Sequence, residues 1–226
     1  MIFVNGDSVT FGCELENIEH RFSNIIAKKL DKEVVNISEM FKVNSNIVRS
    51  TIKWIEDNCN PEFAIIQFET GRRVEWYDPR HKSWGGLGHH NAQSRTIIRE
   101  GKIRKEPAKP VAVAYYSEFD NIHIRQMNMW TSIFFMETYL NYKGIPHYFW
   151  YGKGNPSKDK QTYELGIEYK QMSKWRDMKE MCDIIGTKNQ HPENFPSLSS
   201  KKLEAGIHPN ENGHKLLAEH FLEHII

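Results

Sequence analysis

Two short stretches near opposite ends of the sequence hold residue types able to cleave an ester. The first, "MIFVNGDSVTFG", runs from an apolar stretch directly into Gly-Asp-Ser and places Ser8 where a short strand would end. The second, "GIHPNENGHKLLAEHF", sets His208 immediately before Pro209 at the start of a helix. A serine hydroxyl is a weak nucleophile until a neighbouring base takes its proton, and histidine is the side chain suited to that task near neutral pH. The proline fixes the turn ahead of the helix, so the ring of His208 can look back towards a sheet edge. Ser8 and His208 are therefore a candidate nucleophile and general base. The same residues also have plain structural roles open to them. Gly-Asp-Ser is an ordinary turn, His208 can cap the last helix, and His214 reads as a structural histidine in that helix's first turn.

Residues so far apart must be brought together by the elements between them. "IFV" at 2–4 reads as a short buried strand; Ile18, Phe22, Ile25, Ile26 and Leu30 then follow helical spacing, and a second strand covers about 33–37. "NSNIVRSTIKWIEDNCNP" opens on cap-forming Asn44 and Ser45, carries Val48, Ile52 and Ile55 on one face, and stops before Pro61. "FAIIQF" at 63–68 is apolar on both faces. Continuous apolar strands alternating with helices predict a parallel sheet covered on both sides. The stretch 70–116, with Gly and Pro clusters and scattered aromatics, reads as a long irregular insertion acting as a lid or a binding surface. A long helix follows from about 117 to Gly144, then a strand over 145–150, an irregular segment, mixed helix over roughly 162–185, and a closing helix with Leu217, Ala218, Phe221, Leu222 and Ile225 on one face. In such open sheets ligands bind beyond the carboxyl ends of the strands, which is where Ser8 falls.

"FVNGDSVTFG" and "GIHPNENGHKLLA" together resemble the first and last sequence blocks of the SGNH, or GDSL, hydrolases. The resemblance implies an α/β protein with a three-layer α/β/α, flavodoxin-like fold around a central parallel sheet, and cleavage of esters, acyl groups or carbohydrate acetyl groups. It implies Ser8 as nucleophile, with its own N–H as an oxyanion donor, and His208 as base. Three departures stand out. The residue three before His208, where the family carries an aspartate, is Ala205, so Glu204 is the candidate to orient the ring, with a bare Ser–His dyad as the other possibility. "EMFKVNSN" lacks the family's glycine, leaving Asn44 or Asn46 as candidate donors at a helix N-terminus. "FETGRRVEW" lacks the family's asparagine, leaving the Gly71 amide, with Arg73 and Glu75 lining the site.

Other features bound the reading. The 226 residues are 39% hydrophobic, enough for one sizeable core and one expected domain over 1–226. A net charge of +1 gives no global field favouring nucleic acid or a membrane surface. Cys13, Cys59 and Cys182 form neither a disulfide framework nor a zinc ribbon. With no signal peptide or apolar span, a soluble cytoplasmic protein is expected. No metal or organic cofactor is implied; His81, His89 and His90 lack further ligands at zinc spacing, and "GGLG" and "GKGNPSK" are not phosphate loops. From Arg95 to Lys109 six basic residues face two acidic ones, and with Trp76, Tyr77 and Trp84 this insertion has the makings of a glycan or anionic-polymer grip. Two functions are thus expected: an esterase or acylesterase acting on a small-molecule or carbohydrate ester, or a catalytically weakened relative that binds a glycan or protein partner through 70–116.

Overall fold

A computed structural model describes residues 1–69, 71, 73–78, 82–88, 95–99, 102–106, 109–151, 184 and 208–225. Among these residues the centre is a parallel sheet of four strands: β1 (Ile2–Asn5), β2 (Val34–Asn36), β3 (Phe63–Phe68) and a strand at His147–Tyr151, ordered β2, β1, β3 and then the strand at His147–Tyr151. Phe3 lies opposite Val35 on one side and Ala64 on the other, so β1 is an inner strand. Every residue of β1 is buried, as a strand covered on both faces requires.

Alternation along the strands divides the core into two layers. Phe3, Ala64, Ile66 and Phe68 face α3 (Asn44–Asp57) and a long helix at Ile122–Tyr142, joining Ile47, Ile55, Met129, Ile133 and Met136. Ile2, Val4, Ile65 and Trp150 face the opposite way, towards α2 (Phe22–Leu30) and a final helix at Glu211–Ile225, joining Phe22, Ile26, Leu217, Ala218 and Phe221. The expected apolar face of that final helix is the one it buries: Leu217, Ala218 and Phe221 are fully covered and Leu222 nearly so. The arrangement is the three-layer α/β/α fold.

Two stretches differ from the sequence reading. The insertion is not irregular throughout, because it holds two antiparallel hairpins: β4 (Val74–Asp78) with β5 (Ser83–Leu87), and β6 (Arg95–Arg99) with β7 (Lys102–Glu106). Gly85 and Gly86, which resemble punctuation in the sequence, sit inside β5 opposite Trp76 and Glu75. The long helix also starts later than its pattern suggests. A short helix, α4 (Pro110–Ala114), runs into one wide turn over Tyr115–Phe119, and the chain extends at Asp120. The Asn121 side chain then accepts the Ile124 N–H and caps the long helix, α5 (Ile122–Tyr142). The last strand is β8 (His147–Tyr151) and the final helix α6 (Glu211–Ile225). The helical stretch expected around 162–185 lies outside the described residues except for position 184, as do Glu204, Ala205, His81, His89, His90 and Cys182.

Gly71 shows how tightly the loop after β3 is held. Its φ is +75°, and a Cβ there would run into the Arg125 carbonyl at the start of α5. A Gly71→Ala substitution is expected to cost about 1–3 kcal/mol of stability through strain and overpacking. Chemical denaturation of the two proteins side by side measures it.

Candidate functional site

Ser8 opens a one-turn helix, α1 (Ser8–Phe11), directly after β1. The turn that delivers it is locked from below. Asp7 caps α1 by accepting the Val9 N–H at 3.1 Å, and also accepts from Gln67 Nε2 on β3 at 2.5 Å and from Arg73 Nη1 at 3.2 Å. The other end of the Gln67 amide accepts the Thr10 N–H at 3.0 Å and its hydroxyl at 2.5 Å. Val9 and Thr10 amides are thus taken up by side chains, which is how a helix N-terminus satisfies donors without intrahelical partners. Gly6 permits the close approach, since a Cβ there would lie 2.6 Å from Thr10 Oγ1 and 2.7 Å from Gln67 Cβ.

One step earlier, fully buried Asn5 accepts the Gly6 N–H at 2.9 Å and donates to the Ile47 carbonyl and to the Ser50 and Thr51 hydroxyls. Lys42, also buried, donates to Asn5 Oδ1 at 3.1 Å and to the Ile37 carbonyl at 2.7 Å. Burial pulls the Lys42 pKa below the ordinary lysine value, against the attraction of Glu39. This satisfied polar network fixes the end of β1 on which Ser8 stands.

His208 arrives from the other end of the chain. Its Nε2 lies 3.0 Å from Ser8 Oγ, within hydrogen-bond reach. Its other nitrogen, Nδ1, faces a carboxylate that the sequence reading did not single out: Glu14 Oε1 is 3.4 Å away. Glu14 belongs to the turn that ends α1. Gly12, at φ 76°, closes the helix, and Glu14, at φ 71°, is itself left-handed, which folds its side chain back beneath the imidazole. A left-handed non-glycine residue costs roughly 1–2 kcal/mol, and such strain is found where geometry serves a site. Glu14 and His208 are both largely shielded, with side chains 19% and 16% exposed. Cys13 lies beside them; burial, then the Glu14 charge, raises its pKa, so the thiol stays protonated and is a poor nucleophile.

The remaining candidates have other partners. Asn44 clasps the backbone of Glu69 at the end of β3, donating to its carbonyl at 2.9 Å and accepting its N–H at 2.8 Å. Asn46 donates to Glu75 at 3.2 Å, and Arg49 meets the same carboxylate through both terminal nitrogens. Burial opposes the Glu75 charge, but these donors outweigh it and hold its carboxyl below the usual range. Arg73 is next to the turn that carries Ser8 through Asp7, and its guanidinium lies over the Phe41 ring at 5.7 Å. Gly71 and Arg73 also line a groove of about 730 Å³ between α3, β4 and α5, whose walls include Val48, Ile52 and Phe135. Neither Ser8 nor His208 lines this groove; the Arg73–Asp7 contact links the two places. His214 is fully buried, accepts the Phe22 N–H at 3.3 Å and stacks on that ring, a structural placement.

No family model matches the chain, and no curated protein matches it by sequence. Solved structures do. The esterase EstA from Pseudoalteromonas sp. aligns with a TM-score of 0.53 at 13% identity over 99% of this chain and 95% of its own. A G-D-S-L family protein from Desulfitobacterium hafniense aligns with a TM-score of 0.52 at 13% identity, over 100% of this chain and 98% of that one. The M. smegmatis aryl esterase aligns with a TM-score of 0.51 at 13% identity, over 99% and 97%. The chain shares the α/β/α fold of these esterases and of the G-D-S-L family protein at low sequence identity. No helix among its described residues is long and apolar enough to cross a membrane.

Proposed function

We propose that the chain is a serine ester hydrolase in which Ser8 is the nucleophile, His208 the general base and Glu14 the carboxylate that orients it. The 3.0 Å approach of His208 Nε2 to Ser8 Oγ carries this reading, because two residues 200 positions apart meet in the geometry a proton transfer needs. The Glu14 charge 3.4 Å away favours the proton on Nδ1, leaving the Nε2 lone pair facing the hydroxyl. Ser8 Oγ attacks the ester carbonyl as its proton moves to Nε2; the imidazolium then gives that proton to the departing alcohol, leaving an acyl-serine. Water, deprotonated by the same nitrogen, releases the acid and restores the serine.

The Ser8 N–H is the oxyanion donor in this scheme. Asn44 and Asn46, whose amides hold Glu69 and Glu75, serve to keep the surrounding loops in place rather than to bind the oxyanion. The apolar walls of the neighbouring groove suit a substrate with an apolar portion. Esters are the common substrate of the similar esterases, and the fold is shared across the whole chain.

A fluorophosphonate probe tests the assignment. Its phosphorus is attacked as a carbonyl would be, so the protein should gain one covalent phosphonyl group on the peptide containing Ser8, as read by mass spectrometry. Modification at another residue, or none under conditions where the protein remains folded, sinks the enzyme. The second reading, a binding protein that has kept the fold, would then be favoured by Trp76, which stands 40% exposed on β4 opposite Gly85 and so offers an open ring face to a sugar.

A further inference from the structure

We propose that Cys13, Glu14 and His208 form an inhibitory zinc site that switches the hydrolase off by trapping its histidine in the wrong tautomer. The inference rests on the Ser8–His208 reading for its consequence, but the metal site stands on its own geometry. One ligand atom from each of the three residues lies within 4.8 Å of the other two. Thiolate, carboxylate and imidazole are all zinc donors, and three protein ligands with a fourth position left for water make an open tetrahedral site. Zinc bond lengths place such donors about 3.3–3.7 Å apart, so side-chain movements of about 1 Å close the site.

Two observations beyond proximity point to a ligand. Glu14 Oε2 and His208 Nδ1 are both shut off from solvent; Oε2 has no hydrogen-bond partner among the described residues, and Nδ1 has only its 3.4 Å ion-pair contact with Glu14 Oε1, which makes no hydrogen bond. Buried polar atoms are nearly always satisfied, and those left over commonly await an ion or a water. A second soft sulfur also stands at the rim: Met40 Sδ is 3.5 Å from Cys13 Sγ and belongs to a half-exposed side chain. The approach to the thiol is therefore lined by a group that soft cations tolerate and hard ones do not.

The switch follows from which nitrogen the metal takes. Without metal, Glu14 favours the proton on Nδ1 and Nε2 presents its lone pair to Ser8. Zinc bonds through the Nδ1 lone pair and the Cys13 thiolate. The thiol proton leaves to solvent, and the neutral ring must carry its own proton on Nε2. His208 can then donate to Ser8 Oγ but cannot accept from it. The nucleophile stays accessible and unactivated. A triad histidine held in the wrong tautomer loses on the order of 10⁴ in turnover, and this is the loss expected at saturating zinc. The Cys13 thiol takes no part in the proton transfers between Ser8 and His208, so it can be removed without disabling the enzyme.

The test uses the full chain with Co²⁺ as spectroscopic probe and Zn²⁺ as inhibitor. Co²⁺ should give a thiolate-to-metal charge-transfer band in the near ultraviolet that is absent from Cys13→Ala. Zn²⁺ should suppress hydrolysis of p-nitrophenyl acetate, with full recovery on adding a chelator. Cys13→Ala should keep the parent's metal-free turnover within about twofold, while needing at least about tenfold more Zn²⁺ for half-inhibition, as expected when one of three ligands is lost. No charge-transfer band, an identical band in Cys13→Ala, or equal zinc sensitivity of the two proteins overturns the proposal. A protein that hydrolyses nothing but shows the Cys13-dependent band keeps the metal site and discards only the switch and the hydrolase together.

Discussion

Ser8→Ala is expected to lower ester turnover by at least about 10⁴-fold while leaving the fold intact. The size follows from the interdependence of a nucleophile and its base: with the hydroxyl gone, His208 has no proton to accept, and what survives is acceleration by binding and oxyanion donors alone. The fold should persist because the interactions that shape this turn belong to neighbouring residues. Asp7 caps α1, Gln67 holds Thr10 and Asp7, and Asn5 with Lys42 secures the end of β1. Initial rates on short p-nitrophenyl esters, together with circular dichroism melts of both proteins, check both halves. Turnover retained within tenfold would remove Ser8 from the chemistry.

Glu14→Gln carries the second large effect. A glutamine keeps the volume but offers no charge to stabilise the imidazolium, and its amide can present a donor to Nδ1 and so favour the unproductive tautomer. In triads this change costs up to about 10⁴ in kcat with the geometry preserved. For this chain, where Oε1 stands 3.4 Å from Nδ1, a fall of about 10²–10⁴ in kcat is expected, with KM moving by less than about threefold because Glu14 acts through His208. Glu204→Gln made in parallel should leave kcat unchanged. A silent Glu14→Gln beside a damaging Glu204→Gln would return the carboxylate role to the segment preceding His208.

The contrast between these two glutamates marks where sequence reasoning reaches and where it stops. The meeting of Ser8 and His208 was legible because each carries its context with it: a strand that ends on small residues, and a proline that stops the chain before a helix. The parallel sheet was legible for a similar reason, since strands buried on both faces must be apolar throughout. Glu14 was not. Its approach to His208 depends on two backbone departures, at Gly12 and at Glu14, and nothing in a glutamate's chemistry announces a left-handed φ. Asn44 misled in the opposite direction. A polar residue at a helix start invites a functional role, but this amide is satisfied twice over by the Glu69 backbone, a partnership between distant segments that spacing cannot reveal. The hairpins of the insertion were hidden by Gly85 and Gly86, because glycine usually ends strands and here lies within one.

The 200 positions between Ser8 and His208 also bear on how the protein is made. Ser8 and Glu14 follow β1 closely, and β2 and β3 can join them once Phe68 has left the ribosome. At synthesis rates of about 5–20 residues per second, the histidine emerges some ten to forty seconds after the serine. Its helix has then to find its seat against α2, where Leu217, Ala218 and Phe221 meet Phe22 and Ile26. Until that docking occurs Ser8 has no imidazole beside it, so on the proposed reading the serine is unactivated until the helix after His208 takes its seat.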